Sequence, residues 1–132
     1  NVERRNEYTS LLCGMIQNWR DTFNDASLPF YIVELAEFLH KSDIQGRNAW
    51  EEMRQQQAKA AKESGDAVLI KNKDLGEWND IHPLDKKTLG QRIAREVMKR
   101  NEDGSINIKD YDFDKIDLER MNEKCIVDML QL

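Results

Sequence analysis

The chain has 132 residues, 39% hydrophobic and 34% charged, with a formal net charge of −5. That length holds one domain with one modest core, and so high a charged fraction means that many helix faces are solvated. Acids interspersed with lysines and arginines leave no basic stripe for nucleic acid, and no apolar run is long enough to span a membrane. No signal peptide opens the sequence. It starts at Asn1, without methionine and already helix-like, so an amino-terminal part is expected to precede it. Cys13 and Cys125 fall at apolar positions of helical patterns, which favours two buried thiols over a disulfide or a metal pair.

Residues 3–23 predict an amphipathic helix with Tyr8, Leu11, Leu12, Met15, Ile16, Trp19 and Phe23 on its inner face. Asn24 to Ser27 carry turn chemistry that stops it. Leu28 to Leu35 is nearly continuous in apolar residues, which predicts a strand covered on both faces, with Pro29 at its first position. Ala36 to Arg47 reads as a loop whose Phe38, Leu39 and His40 either line a cleft or pack down. A second helix follows over 48–64, with Ala49, Trp50, Met53, Gln57, Ala60 and Ala61 inward and Gly65 suited to a left-handed cap. Ala67 to Ile70 predicts a second short strand. Asp85 can cap a third helix with Leu89, Ile93, Ala94, Val97 and Met98 inward.

This order is a βαβ unit with flanking helices, and it implies an α/β fold with a parallel sheet and a right-handed crossover. Functional loops in such sheets lie at the carboxyl ends of the strands, which here means Ala36 to Arg47 and Lys71 to Leu84. The character changes near Asn101. Residues 1–100 form the α/β part, and residues 101–132 form a tail with an alternating stretch and a last amphipathic helix through Leu118, Met121, Cys125, Ile126, Met129 and Leu130.

The second loop holds His82, one of two histidines, followed by Pro83 and flanked by acids. Pro83 restricts the histidine backbone to extended values, and the acids favour and orient an imidazolium. A base of this kind needs a nucleophile. None of Ser10, Ser27, Ser42, Ser64 or Ser105 sits in a Gly-x-Ser-x-Gly elbow, and Cys13 is mid-helix. His40 and His82 are too far apart in sequence for a metal-binding motif, so no metal and no cofactor are expected. Gly76 and Gly90 stand alone, which excludes a phosphate loop, and Asp103 to Asn107 lacks the ligand spacing of a calcium loop.

Several segments together resemble the carboxyl-terminal half of sialate O-acetylesterases, carbohydrate esterases of the SGNH hydrolase superfamily. They are Asn1 to Arg20 with Ile16-Gln17-Asn18-Trp19-Arg20, Leu28 to Leu35, Ala49 to Gln57, Asp74-Leu75-Gly76, and Asp80-Ile81-His82-Pro83 followed by Lys86, Gly90 and Arg92-Ile93-Ala94. The resemblance covers roughly the first three-quarters of the chain. It implies a flavodoxin-like three-layer α/β/α fold and hydrolysis of acetyl esters on a carbohydrate in the periplasm or outside the cell. It implies His82 as general base, a serine upstream of Asn1 as nucleophile, and Asn1 near the oxyanion region.

Two departures stand out. Many SGNH enzymes carry the orienting Asp three residues before the His, where this chain has Asn79; the role then passes to Asp80 or Asp74. Residues 106–132 match nothing in the family. The alternative expectation is an inactive binding or interaction module on the same scaffold, its tail helix serving either as a docking surface or as core. A sheet of two or three strands leaves an open edge, so the chain is expected to pair with the missing amino-terminal half, to oligomerise or to be rebuilt by its tail.

Overall fold

The structure, a computed structural model, describes residues 2–100. By compactness the chain divides into Asn1–Glu96 and Val97–Leu132. Asn1 and the expected tail helix lie outside the described residues, as does Cys125. After a 3-10 turn at Val2–Arg4 come α1 (Arg5–Phe23), β1 (Phe30–Val33), α2 (Ile44–Glu63), β2 (Ala67–Ile70), a 3-10 turn at Lys73–Leu75 and α3 (Lys86–Arg100). This is an α/β fold with three helices and a two-stranded parallel sheet, in register Phe30↔Ala67 to Val33↔Ile70.

Local chemistry sets the boundaries. α1 stops at Asn24, which takes the left-handed conformation with φ 51° and donates its N–H to Arg20 and Asp21 carbonyls. The Asp25 carboxylate then accepts from Ser27 N–H at 2.9 Å and closes the turn. α2 begins at Ile44, a full turn before the expected Asn48, because Asp43 caps it: its Oδ1 accepts the Gly46 N–H at 2.8 Å. A β-carbon at Gly46 would sit 2.4 Å from the Asp43 carboxylate, so the cap needs the glycine. α2 ends at Ser64 and the chain turns through Gly65 at φ 57°, where the sequence placed a left-handed cap.

The core lies between α2, the sheet and one stripe of α1. Ile16, Met53, Ala60, Ala61 and Ile70 are buried. Here the expected inner faces need correcting. α1 turns Thr9, Cys13, Ile16 and Arg20 toward α2, whereas Leu11, Met15, Trp19 and Phe23 are 44–65% exposed. Periodicity found the apolar stripe but not its direction, because Thr9 and Arg20 make specific bonds that sequence does not advertise. Thr9 Oγ1 donates to the Gln56 side chain at 2.5 Å. Arg20 Nε, Nη1 and Nη2 donate to the carbonyls of Leu28, Ser64 and Gly65 at 3.2, 2.6 and 2.8 Å. The guanidinium thus serves the carboxyl end of α2 and lies over the Phe30 ring.

The strand from Leu28 to Leu35 shortens to four residues, and Val33 is exposed, so β1 is not covered on both faces. No residue of α3 is fully buried; Leu89, Ile93, Ala94 and Met98 are half-buried and Val97 is exposed. Gln57 of α2 finishes β1: its Oε1 accepts from Leu35 N–H at 2.8 Å and its Nε2 donates to Val33 O at 3.1 Å. The Phe30 and Glu34 N–H groups donate to Asp66 and Ile70 carbonyls on the β2 side, so the backbone groups of the odd-numbered residues Val33 and Leu35 point away from β2. The Gln57 amide therefore supplies both groups that a further strand would supply.

Candidate active site

The two loops at the carboxyl ends of the strands are joined along their length. Glu34 N–H donates to Ile70 O at 2.9 Å, Glu37 N–H to Lys73 O at 3.1 Å, and Leu39 N–H to Trp78 O at 2.9 Å. Gly76 passes so close to this seam that a β-carbon there would lie 2.2 Å from the Glu37 nitrogen. Buried Glu34 ties the loops from within, accepting the N–H groups of Asn72 and Lys73 at 3.1 and 3.3 Å and the Lys71 ammonium at 3.3 Å. Asn72 returns a bond from Nδ2 to Glu34 O at 3.1 Å.

His82 stands on the outer part of this platform. Pro83 is buried and the imidazole is 85% exposed, so the proline anchors the loop while the ring projects. Asp80 performs two tasks. Its Oδ1 accepts the His82 N–H at 2.7 Å, and it lies 3.5 Å from His82 Nδ1. A tight turn, with Glu77 and Asp80 bridged, holds the acid in place. Of the two acids the sequence offers for orienting His82, the structure brings Asp80 to it. Asp74 is engaged elsewhere: Arg92 of α3 grips both its oxygens at 2.7 and 2.6 Å, which holds the carboxyl below its ordinary pKa range. Arg92 also donates to Lys71 O at 2.8 Å. Asn79 is exposed, and Asn1 lies outside the described residues. Asp85 caps α3 as expected, accepting Thr88 N–H at 2.9 Å.

The described serine hydroxyls are engaged away from His82. Ser10 donates to Glu7 O, Ser27 to Asp25, and Ser64 to the Cys13 sulfur, while Ser42 Oγ lies 2.8 Å from His40 Nδ1. Among the described residues no three His, Cys, Asp or Glu side chains gather as metal ligands, and no helix is long and apolar enough to cross a membrane.

Sequence reasoning left Phe38, Leu39 and His40 undecided between cleft and packing. The structure sets the His40 and Trp78 rings edge to face, 5.0 Å between centroids, across the seam. With Glu37, Lys41 and Arg47 they line a groove of about 520 Å³. Arg47 bonds to Glu37 at 2.8 Å and to Leu39 O at 3.2 Å, and Leu39 takes a positive φ of 81°. On the other side of Glu37, a groove of about 600 Å³ is lined by Glu34, Lys71, Lys73, Asp74 and Gly76. His40 and Trp78 lie on different loops, and nothing local in the sequence hinted at this pairing; the short Asp74-Leu75-Gly76 run, where a glycine permits close backbone approach, was the available signal.

Comparison of the chain with known protein families, with curated proteins and with solved structures finds no match.

Proposed function

We propose that this chain is the histidine-bearing part of a carbohydrate O-acetylesterase, with a flavodoxin-like three-layer sheet completed by a second segment. The observation that carries the reading is the Asp80–His82 pair: an imidazole exposed on a strand-end loop, with a carboxylate 3.5 Å from Nδ1 and Nε2 turned to the other side of the ring. That arrangement leaves Nε2 to take a proton from a hydroxyl and return it to water in the second half of an acyl transfer. The separation is long for a hydrogen bond, as it commonly is before substrate binds. The serine nucleophile comes from the segment that completes the sheet, upstream of Asn1. The oxyanion donors include Asn1.

The exposed stripe of α1 is the face that the completing segment covers. Trp19 stacks edge-on to Phe30 at 6.1 Å, so the stripe runs continuously onto the β1 side of the sheet. A strand added parallel there would bring its own carboxyl end beside the His82 loop.

The test is p-nitrophenyl acetate hydrolysis by the full gene product and its His82→Ala and Asp80→Asn variants. The expected loss is about 10³-fold or more for His82→Ala and a smaller one for Asp80→Asn, whose amide still accepts the backbone bond but cannot stabilise an imidazolium. Unchanged turnover in His82→Ala overturns the assignment. The competing reading, an inactive binding module, draws on Asn79 at the position usual for the orienting acid and expects no turnover from either protein.

A further inference from the structure

We propose that Arg92 is a positioning residue for His82: it fixes the helix in which the His82 loop ends to the carboxyl ends of the strands, and so sets where the imidazole meets its reaction partner. The role in turnover rests on the esterase reading; the role in ordering the loop does not.

The loop from Gly76 to Asp85 is held differently in its two halves. Gly76 and Trp78 belong to the seam: Gly76 lies against the Glu37 backbone, and Trp78 O accepts the Leu39 N–H at 2.9 Å. Asn79 to Asp85 runs beyond the seam. The Asp80 N–H donates to Glu77 O at 3.4 Å, and the Asp80 carboxylate accepts the His82 N–H at 2.7 Å. Both bonds are internal to the loop, so they keep the acid and the imidazole together without setting where the pair sits. Buried Pro83 holds this half down, and two residues later the chain enters α3 through the Asp85 cap, which accepts Thr88 N–H at 2.9 Å. The direction of the half that carries His82 therefore follows the placement of α3.

α3 is packed only in part, since none of its residues is fully buried. Arg92 adds a directional tie. Its Nη1 donates to Asp74 Oδ1 at 2.7 Å and to Lys71 O at 2.8 Å, and its Nη2 donates to Asp74 Oδ2 at 2.6 Å. Lys71 directly follows β2 and Asp74 lies in the 3-10 turn Lys73–Leu75, so the guanidinium grips two points of the strand-end platform at once. A planar fork with bonds to two such points fixes orientation as well as distance, which a lysine ammonium does not. Arg92 stands seven residues after Asp85, on the same face of α3 and about 10 Å further along its axis. The two helical turns between them carry the alignment of the clamp back to the loop. The Asp74 and Arg92 side chains are 62% and 26% exposed, so the pair adds little to global stability. What it supplies is alignment, and a displacement of ~1 Å at a reacting group can cost ~10²-fold in rate.

The experiment compares the 132-residue chain with its Arg92→Gln and Arg92→Lys variants by backbone ¹⁵N relaxation. The heteronuclear NOE is expected to fall at Asp80, Ile81, His82 and Leu84 in Arg92→Gln and to hold at Gly76 and Trp78, with Arg92→Lys between the two. The His82 amide shift stays in place throughout, because Asp80 moves with it. A fall in both halves of the loop, or in neither, overturns the proposal. In the full gene product, Arg92→Gln is expected to lose about ten- to a hundredfold in kcat for p-nitrophenyl acetate at constant KM, with Arg92→Lys intermediate. An Arg92→Gln enzyme as fast as its parent overturns the role in turnover and leaves the esterase reading standing. A parent without turnover, whose loop still shows the difference between its halves, overturns the esterase reading and leaves the clamp standing.

Discussion

Gly76 is the residue on which the site depends most without taking part in chemistry. A methyl group there would meet the backbone N, O and Cα of Glu37 within 2.7 Å, and backbone cannot swing aside as a side-chain tip can. Gly76→Ala is therefore expected to cost about 2–3 kcal/mol and to part the strand-end loops. Urea unfolding checks the stability. Trp78 fluorescence checks the loops, and it should shift toward a solvent-exposed spectrum as the His40 contact opens. At this scale the sequence was informative about His82 and Asp80, because Pro83 and a flanking acid are local signals. It offered Asp74 as a second orienting acid but gave no sign of its partner Arg92, eighteen positions on, nor of the Trp78–His40 pair, whose rings come from different loops. Contacts between segments depend on register, which no single position encodes.

At the scale of elements, α2 organises the molecule. One face buries Met53, Gln57, Ala60 and Ala61, close to the inner face its pattern predicts. Its first turns carry an ionic cluster. Glu51 accepts from Arg54 at 2.6 Å and from the Lys73 ammonium at 2.9 Å, while Arg54, nearly buried, also donates to Ala36 O at 3.3 Å and reaches Glu37 at 3.4 Å. The bonds from Lys73 and Arg54 lower the Glu51 pKa to about 2. A carboxyl with a depressed folded-state pKa contributes stability above its unfolded value of 4.5 and loses that contribution as pH falls toward about 2. The Glu51 side chain is 43% exposed, so solvent screening keeps the effect to about 1 kcal/mol or less. The urea midpoint should fall between pH 4.5 and 2 by more in the parent chain than in Glu51→Gln, and equal slopes would show that the cluster does not hold α2 to the loop. Helix positions were legible here because 3.6-residue periodicity is robust; the start of α2 was placed late because the capping signal at Asp43 precedes the apolar pattern by a turn.

The molecule as a whole has a two-sided character. The carboxyl ends of the strands are tied down by Glu34, Arg92 and the loop seam, whereas the α1 side shows Leu11, Met15, Trp19 and Phe23 to solvent. A contiguous apolar surface of this kind on a small chain favours association. Light scattering of the 132-residue chain is expected to show self-association that Leu11→Lys with Phe23→Lys reduces. The same pair of charges in the full gene product should lower its yield of folded protein, since the proposed completing segment packs on that face. A monomeric parent chain would remove this stripe from the interface. The βαβ order and the parallel pairing were readable from alternating apolar runs and helical periods. Which side of α1 faces inward was not, because both of its stripes fit a helix and only Thr9 and Arg20, polar and buried, break the tie.

The Gln57 amide acquires a meaning at this scale. By occupying Val33 O and Leu35 N–H, it works as a terminator for sheet growth: a strand arriving at the outer edge of β1 would run past Tyr31 and then meet a filled position. An incoming strand is thus admitted in one alignment and refused in those shifted toward the loops. The same stop that would index a proper third strand also denies long, slipped pairings to other copies of the chain, so one side chain both guides completion of the sheet and limits its misuse.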